Sequence, residues 1–487
     1  MGPTTTVALV VVAALLCCTE GFIGMNWGRM SAQRLLPSQV VDLMLQNGIR
    51  NVRISTTQSD ILRAFQGSGI NLSITLFNGN QPHNMSTARA WLQSKYHLLR
   101  VNNIESVHMG GGVYPFNWGG IFVPDYDVNW RGLNYVQAAL NETGFGGKIK
   151  ANIVHYSGEL IPNITKPSDA AFLDNIKERM TEFLRFLRDN DAPFLVDFNP
   201  ITDLERCGLD LSFAFPDNKS KLVINDINGA VYTNGFQWQY DCFVWALQKL
   251  NFSDIKIDVM TVGWPTDGYP GATSLNAERY FKYLLPMVIS NQGTPKRPGV
   301  PINTFINSLA DEPKMRTDVI SPFNRHWGIY RSNGQPKFKI DLSGQGRDIY
   351  PTTMKGIMRM PQRWCVFSGN STDTDKVRRQ VERACAKGDC TTLAPAASCS
   401  NLGFGKNASY AFNVYFQTYF QDEKSCDFEG LSYITDQDPS TEDCLFPVEV
   451  VRGNQLIEFS AALALLWPLN IRGVVLLIVL YILGGFL

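Results

Sequence analysis

The chain has 487 residues, with 44 Lys and Arg against 44 Asp and Glu, and 45% of it is hydrophobic. That length exceeds one ordinary domain, so two folded units are expected. A balanced charge with no basic run excludes an electrostatic case for nucleic-acid binding, and the hydrophobic fraction excludes wholesale disorder. In chain order, residues 1–21 read first as a secretory signal, because the apolar run from Val7 to Cys18 is too short to cross a bilayer. A buried strand or anchor helix is the alternative. Residues 22–342 then alternate two periodicities. Strand-like runs are "FIGMNW", "NVRIS", "NLSITLF", "ESVHMGGG", "KIKANIVHY", "FLVDFNP", "IKIDVMTVGW" and "INTFINSLA". Amphipathic helical stretches lie between them, among them "PSQVVDLMLQNG", "SDILRAFQGSG", "STARAWLQSKYHLLR", "DNIKERMTEFLRFLRDN", "FVWALQKLN" and "NAERYFKYLLPMVISNQG". Strands joined by helical crossovers form a parallel sheet, and eight of them close an α/β (β/α)8 TIM barrel. An open doubly wound sheet is the alternative, without a G-x-G-x-x-G after the first strand to support it. Residues 343–361 read as a linker. Residues 362–449 read as a small, disulfide-rich, mainly helical module containing the aromatic helix "NASYAFNVYFQTYFQ". In 450–487, Ser460, Ala461 and Ala462 precede a spacer and an apolar tail, the layout of a GPI-attachment signal removed on maturation, with Ser460 as the candidate attachment residue. A retained transmembrane helix is the alternative.

Both end segments point to the secretory pathway and the extracellular face of the plasma membrane. Asn71, Asn84, Asn141, Asn163, Asn218, Asn251, Asn370 and Asn407 all stand in N-x-S/T, more sequons than chance supplies. Cys365, Cys385, Cys390, Cys399, Cys426 and Cys444 crowd into the last module, which in an exported chain implies a disulfide framework rather than zinc. Sequence does not choose among their pairings. Cys207 and Cys242 either pair with each other or stay free. The scattered histidines, with no H-x-x-x-H or C-x-x-C, give no metal site, and no cofactor motif is present: no G-x-S-x-G marks a serine hydrolase, and "MGGGV" lacks the Lys-Ser/Thr of a P-loop. In a barrel, chemistry sits at the C-terminal strand ends, so "GGGVY", "NPITDL", "VGWPTDG" and "LADEPK" would face one another.

The stretches "IGMNWGR", "LLPSQVVDLMLQNGIRNVRI", "VGWPTDG", "GTPKRPG" and "RHWGIY" resemble plant β-1,3-glucanases of glycoside hydrolase family 17 across 22–342. "WCV", "GDC", "SYAFNVYFQ", "DPS" and "CLFP" resemble a carbohydrate-binding module of family 43. The resemblance implies a β-1,3-glucan (callose-type) ligand, a wall-associated location and, for the family, endo-hydrolysis of that glucan.

The chemistry the resemblance implies is a retaining one. Such enzymes need two carboxyl groups about 5 Å apart, one to protonate the leaving oxygen and one to attack the anomeric carbon. The family's acid closes a "GNE" triplet on the fourth strand, where this chain has Gly110-Gly111-Gly112. The family's nucleophile stands three residues before the tryptophan of "GWP", where this chain has Thr261, whose hydroxyl is far too basic to act unaided. Further departures are "STTQSD" after "VRI", Asn199 in place of the family's tyrosine, and Lys314 two rather than three positions past Glu312. Trp264, Pro265, Asp311, Glu312, Arg325 and His326 are retained. Expected is a catalytically inactive glucan-binding pseudoenzyme. An active glucan endo-1,3-β-glucosidase, rescued by His108, Asp125, Glu159, Asp197 or Glu312, is the alternative, and a structural protein with a vestigial cleft the third reading. Candidate glycan contacts are Trp27, Tyr114, Phe116, Trp118, Asn199, Trp264, Glu312 and Lys314 in the barrel and Tyr410 in the module; Trp264 and Tyr410 also fit core packing.

Overall fold

A computed structural model describes residues 21–31, 35–76, 80–110, 126–317 and 321–451. Gly111, Gly112, Tyr114, Phe116, Trp118, Asp125, Ser460 and both end segments lie outside them. Nine parallel strands form one sheet: β1 (Ile23–Trp27), β2 (Asn51–Ile54), β3 (Asn71–Leu76), β4 (Asn103–Met109), β5 (Lys150–Asn152), β6 (Val154–Tyr156), β7 (Phe194–Asp197), β10 (Ile257–Val262) and β11 (Thr304–Ile306). β8 (Ile224–Asn225) and β9 (Val231–Tyr232) make a separate small hairpin. The sheet order is β5-β4-β3-β2-β1-β11-β10-β7-β6. Its two end strands are consecutive in the chain, with only Ile153 between them, so the sheet curls into a nearly closed barrel. The expected eight strands become nine because "KIKANIVHY" breaks at Ile153. There the Asn152 side-chain oxygen accepts from Ile153 N at 2.8 Å, removing that amide from the ladder. The first half pairs with β4 and the second with β7.

Helices α1 (Pro37–Gln46), α2 (Ser59–Ala64), α3 (Met85–Val101), α4 (Tyr126–Glu142), α5 (Lys177–Asp189), α6 (Pro200–Arg206), α7 (Gly235–Lys249) and α8 (Ser274–Ile289) supply the crossovers. Asn84, Asn199, Asn234 and Thr273 cap α3, α6, α7 and α8 with their side chains, whereas α1, α2 and α5 start without one. Asn84, for example, accepts from Thr87 N while the Thr87 hydroxyl accepts from Asn84 N. Two hydrophobic layers result. Val52, Val107, Val196, Val259 and Val262 face the helices in the main core, while Val154, Leu195, Met260 and Phe305 pack together inside the barrel.

The segment 343–361 runs along the barrel. Thr352 N donates to Asn47 Oδ1 at 2.9 Å, Tyr330 Oη donates to Thr352 O at 2.7 Å, and Met354 is buried in the barrel core. The following module holds an antiparallel pair, β12 (Trp364–Phe367) and β13 (Ser432–Thr435), against α9 (Thr374–Cys385) and α10 (Phe404–Thr418). Disulfides join Cys365 to Cys426, Cys385 to Cys390 and Cys399 to Cys444. Cys207 and Cys242 do not pair; both are free thiols, and burial pushes both thiol pKa values up. No helix among the described residues is long and apolar enough to cross a membrane.

Candidate functional site

The C-terminal strand ends gather polar side chains that alternate with the apolar residues of each strand. A bulge in β10 sets the arrangement. Val259 and Thr261 oppose the adjacent Val196 and Asp197 of β7, so Met260 is the extra residue. Met260 and Thr261 therefore both turn into the barrel. Met260 joins the inner apolar cluster, and Thr261 meets the polar layer above it. Thr261 Oγ1 accepts from Arg53 Nη1 at 3.0 Å and from Asn26 Nδ2 at 3.4 Å. The same two donors reach Met260 O, at 3.3 and 2.8 Å. Arg53 Nη1 also lies 3.3 Å from Asp197 Oδ1, so the carboxylate beside Thr261 is ion-paired. His108 is fully buried, with Nε2 2.8 Å from Ser106 Oγ. Burial, and then the nearby Arg53 charge, hold its pKa well below the ordinary value, so the imidazole is neutral.

Other candidate residues have structural occupations. Trp264 is fully buried, donates from Nε1 to Gly271 O at 2.9 Å and packs against Phe215 and Tyr280, so it is core rather than cleft wall. Trp27 is buried against Phe65. Tyr410 is buried edge-on against Phe446 in the module core, its remaining surface lining the cleft between module and barrel. Asn199 caps α6, accepting from Thr202 N at 3.4 Å. Glu312 Oε1 accepts from Met30 N at 2.8 Å beneath Gly28, where a Cβ would collide with the carboxyl. Burial and neighbouring Asp311 raise the Glu312 pKa, against that hydrogen bond. Glu159 is buried and bonded to His155 at 2.7 Å. Lys314 is exposed. Among the sequon asparagines, Asn71 begins β3 with its amide nitrogen donating to Asn51 Oδ1, and Asn407 is half-buried, while the other six are exposed. Arg53 and Asn26 are the site residues that motif reading misses. Their signal is a polar residue between two apolar ones: Asn26 between Met25 and Trp27, and Arg53 between Val52 and Ile54.

Arg325 and His326 hold the second module. Arg325 Nη1 pairs with Asp389 Oδ1 at 2.9 Å, and His326 Nε2 lies 2.7 Å from Thr391 Oγ1. Ser398 N donates to Asp267 Oδ1 at 2.9 Å. Aromatics that the module exposes are Phe404, Tyr419 and Tyr433.

With this geometry in view, the sequence profile "Glycosyl hydrolases family 17" matches residues 23–342, and "X8 domain" matches 363–433. The chain belongs to glycosyl hydrolase family 17. Among its relatives, Glucan endo-1,3-beta-glucosidase 8 of Arabidopsis thaliana is 34% identical over 456 residues, covering 91% of this chain and 92% of its own length. Glucan endo-1,3-beta-glucosidase 5 of the same plant is 32% identical, covering 93% of each. The solved structure of CJP38, a beta-1,3-glucanase and allergen of Cryptomeria japonica pollen, superposes with a TM-score of 0.60 at 27% identity, covering 66% of this chain and 99% of that one. The family barrel thus carries an X8 carbohydrate-binding domain, and at the β10 end it presents a hydroxyl held by a guanidinium. That arrangement can donate and accept hydrogen bonds to sugar hydroxyls. Thr261 offers no carboxylate to form a glycosyl ester.

Proposed function

We propose that this protein binds β-1,3-glucan at the cell surface and does not hydrolyse it. The observation that carries the reading is Thr261, fixed by Arg53 and Asn26 where the family resemblance puts the nucleophile. Gly112 at the acid position adds to it from the sequence. Double displacement needs both carboxyl groups, and losing one catalytic group typically costs several orders of magnitude in rate. Asp197, the carboxylate closest in register, is engaged by Arg53. Binding asks for less: polar groups for hydroxyls and aromatic faces for the sugar C–H surfaces. The barrel's polar layer offers the first, and Tyr419 and Tyr433 offer the second. The family names of the relatives supply the glucan. The N-terminal apolar run, the sequons and the C-terminal signal pattern support export and a GPI anchor on the plasma membrane.

The test is purified ectodomain with laminarin-type glucan, measuring retention and reducing-sugar release together. Retention without release is expected. Release that vanishes on substituting Asp197, His108 or Glu312 makes the protein an active endo-glucosidase instead. Release of the native protein from membranes by a GPI-cleaving phospholipase tests the anchor.

A further inference from the structure

Barrel and module enclose a cleft of about 680 Å³ that is separate from the polar strand-end layer: none of Asn26, Arg53, Asp197 and Thr261 lines it. One wall comes from the loops after β10 and β11, with Asp267, Arg331 and Lys337. The other comes from the module, with Lys387, Asp438 and Glu449. That volume falls within the range of pockets that enclose small ligands. Its walls are pinned by bridges. Arg325 pairs with Asp389, His326 with Thr391 and Asp267 with Ser398, and Ser332 Oγ donates to Glu449 Oε1 at 3.3 Å. The main chain adds Met360 N to Glu449 O at 2.9 Å. A cleft set this way is preorganised, so a ligand entering it does not have to order the two modules.

The chemistry of the lining narrows the ligand. Five lysine and arginine side chains and six carboxyl groups line the space, of which Lys337 and Asp311 are paired with each other at 2.6 Å and Asp389 with Arg325. An anion would meet the carboxylates, a cation would meet the lysines and arginines, and an apolar molecule would strip water from both without replacing its hydrogen bonds. A molecule carrying many neutral groups that both donate and accept satisfies the two sets at once. Sugar hydroxyls do this. We propose that the inter-module cleft is a second glycan site, built jointly by barrel and module, for a neutral oligosaccharide. This rests on the glucan-binding reading above and extends it to a surface that neither module forms alone. Two sites on one rigid chain also raise its avidity for a polymer.

The experiment uses the whole ectodomain and a β-1,3-linked glucohexaose, with hydrogen exchange on the unmodified protein and binding titrations on Arg331→Ala and Asp438→Ala, neither of which touches a bridge. Expected is joint protection of 331–337 and 387–398, with about a tenfold loss of hexaose affinity in each variant, as loss of a charged hydrogen bond gives. Protection confined to 404–435 or to the strand ends, with variant affinities unchanged, overturns the joint cleft and leaves the glucan-binding reading standing. So does retention on insoluble glucan without hexaose binding. Neither hexaose binding nor retention overturns both.

Discussion

Arg53 donates to Thr261 Oγ1 at 3.0 Å while lying 3.3 Å from Asp197 Oδ1, so one guanidinium holds the Thr261 hydroxyl and the carboxylate beside it in register. The β10 bulge makes this contact available by turning Thr261 inward together with Met260. At the C-terminal end of β10 the barrel therefore turns a hydroxyl, not a carboxylate, toward the Arg53 guanidinium.

Restoring one carboxylate should restore only half of the chemistry. Thr261→Glu places a carboxylate beside Arg53, with Gly112 still unable to protonate a leaving sugar. Laminarin hydrolysis should stay at background. An aryl β-glucoside oligomer, whose phenolate leaves without protonation, should be cleaved measurably. Gly112→Glu with Thr261→Glu should release reducing sugar from laminarin. Laminarin cleavage by the single variant would mean that another residue serves as acid.

Arg53 should matter for stability as well as for the site. Its side chain is 14% exposed and reaches Thr261, Met260 and Asp197. Arg53→Met leaves those acceptors without their charged donor and should cost about 1–3 kcal/mol in urea unfolding. Burial remains the main cause of the low His108 pKa, so that histidine should stay neutral at pH 7 in the variant. An unchanged unfolding midpoint would show that the network contributes nothing net.

The barrel was legible because its strands and helices carry different periods over long stretches, and the β10 motif "VGWPTDG" located Thr261 by count. The side-chain roles were less so. Trp264 and Tyr410 are aromatics in motifs, and sequence does not tell an inward ring from a cleft wall; both turned inward. Arg325 and His326 read as retained family residues, and only the docked module reveals that they bond to Asp389 and Thr391. The break at Ile153 depends on one side-chain-to-backbone bond from Asn152, which no periodicity encodes.

Sugar stacking on the module should depend on Tyr433 rather than Tyr410. Tyr433 is 54% exposed and Tyr410 only 4%. Tyr433→Ala should lower retention on insoluble β-1,3-glucan about five- to tenfold with no change in unfolding, since a lost aromatic face is worth about 1 kcal/mol. Tyr410→Ala should instead destabilise the module by about 3–5 kcal/mol, as large-to-small core changes do. Pull-down with parallel thermal melts separates the two. Equal retention in wild type and Tyr433→Ala would remove that face from the binding surface.

Reduction should act on one unit only. Cys365–Cys426 and Cys399–Cys444 span 61 and 45 residues of the module, whereas the barrel's Cys207 and Cys242 are free thiols. Each long-range bridge is worth about 2–4 kcal/mol through the unfolded chain it constrains. In dithiothreitol, limited proteolysis should open 362–449 while 23–342 stays resistant. Barrel cleavage at the same rate would show that the modules unfold as one.

The junction between the modules should weaken as pH rises. Glu449 is half-buried, accepts from Ser332 and has Asp389 and Asp311 as charged neighbours of its own sign. Burial is the main cause that pushes its pKa from about 4.5 up to about 7. The folded state therefore holds a proton that the unfolded chain has already lost between those values. The associated stability is fully present below about pH 4.5, declines as pH rises and is gone above about pH 7. Asp241 and Asp258, raised to about 6 and about 7, act in the same direction from within the barrel, so wild type alone cannot isolate the junction. The difference between wild type and Glu449→Gln does isolate it, because the amide occupies the same space without titrating. From pH 5 to pH 8, wild type should lose on the order of 2 kcal/mol relative to the variant in denaturant unfolding. Parallel stability curves across that window would show that Glu449 carries no linked proton at the junction.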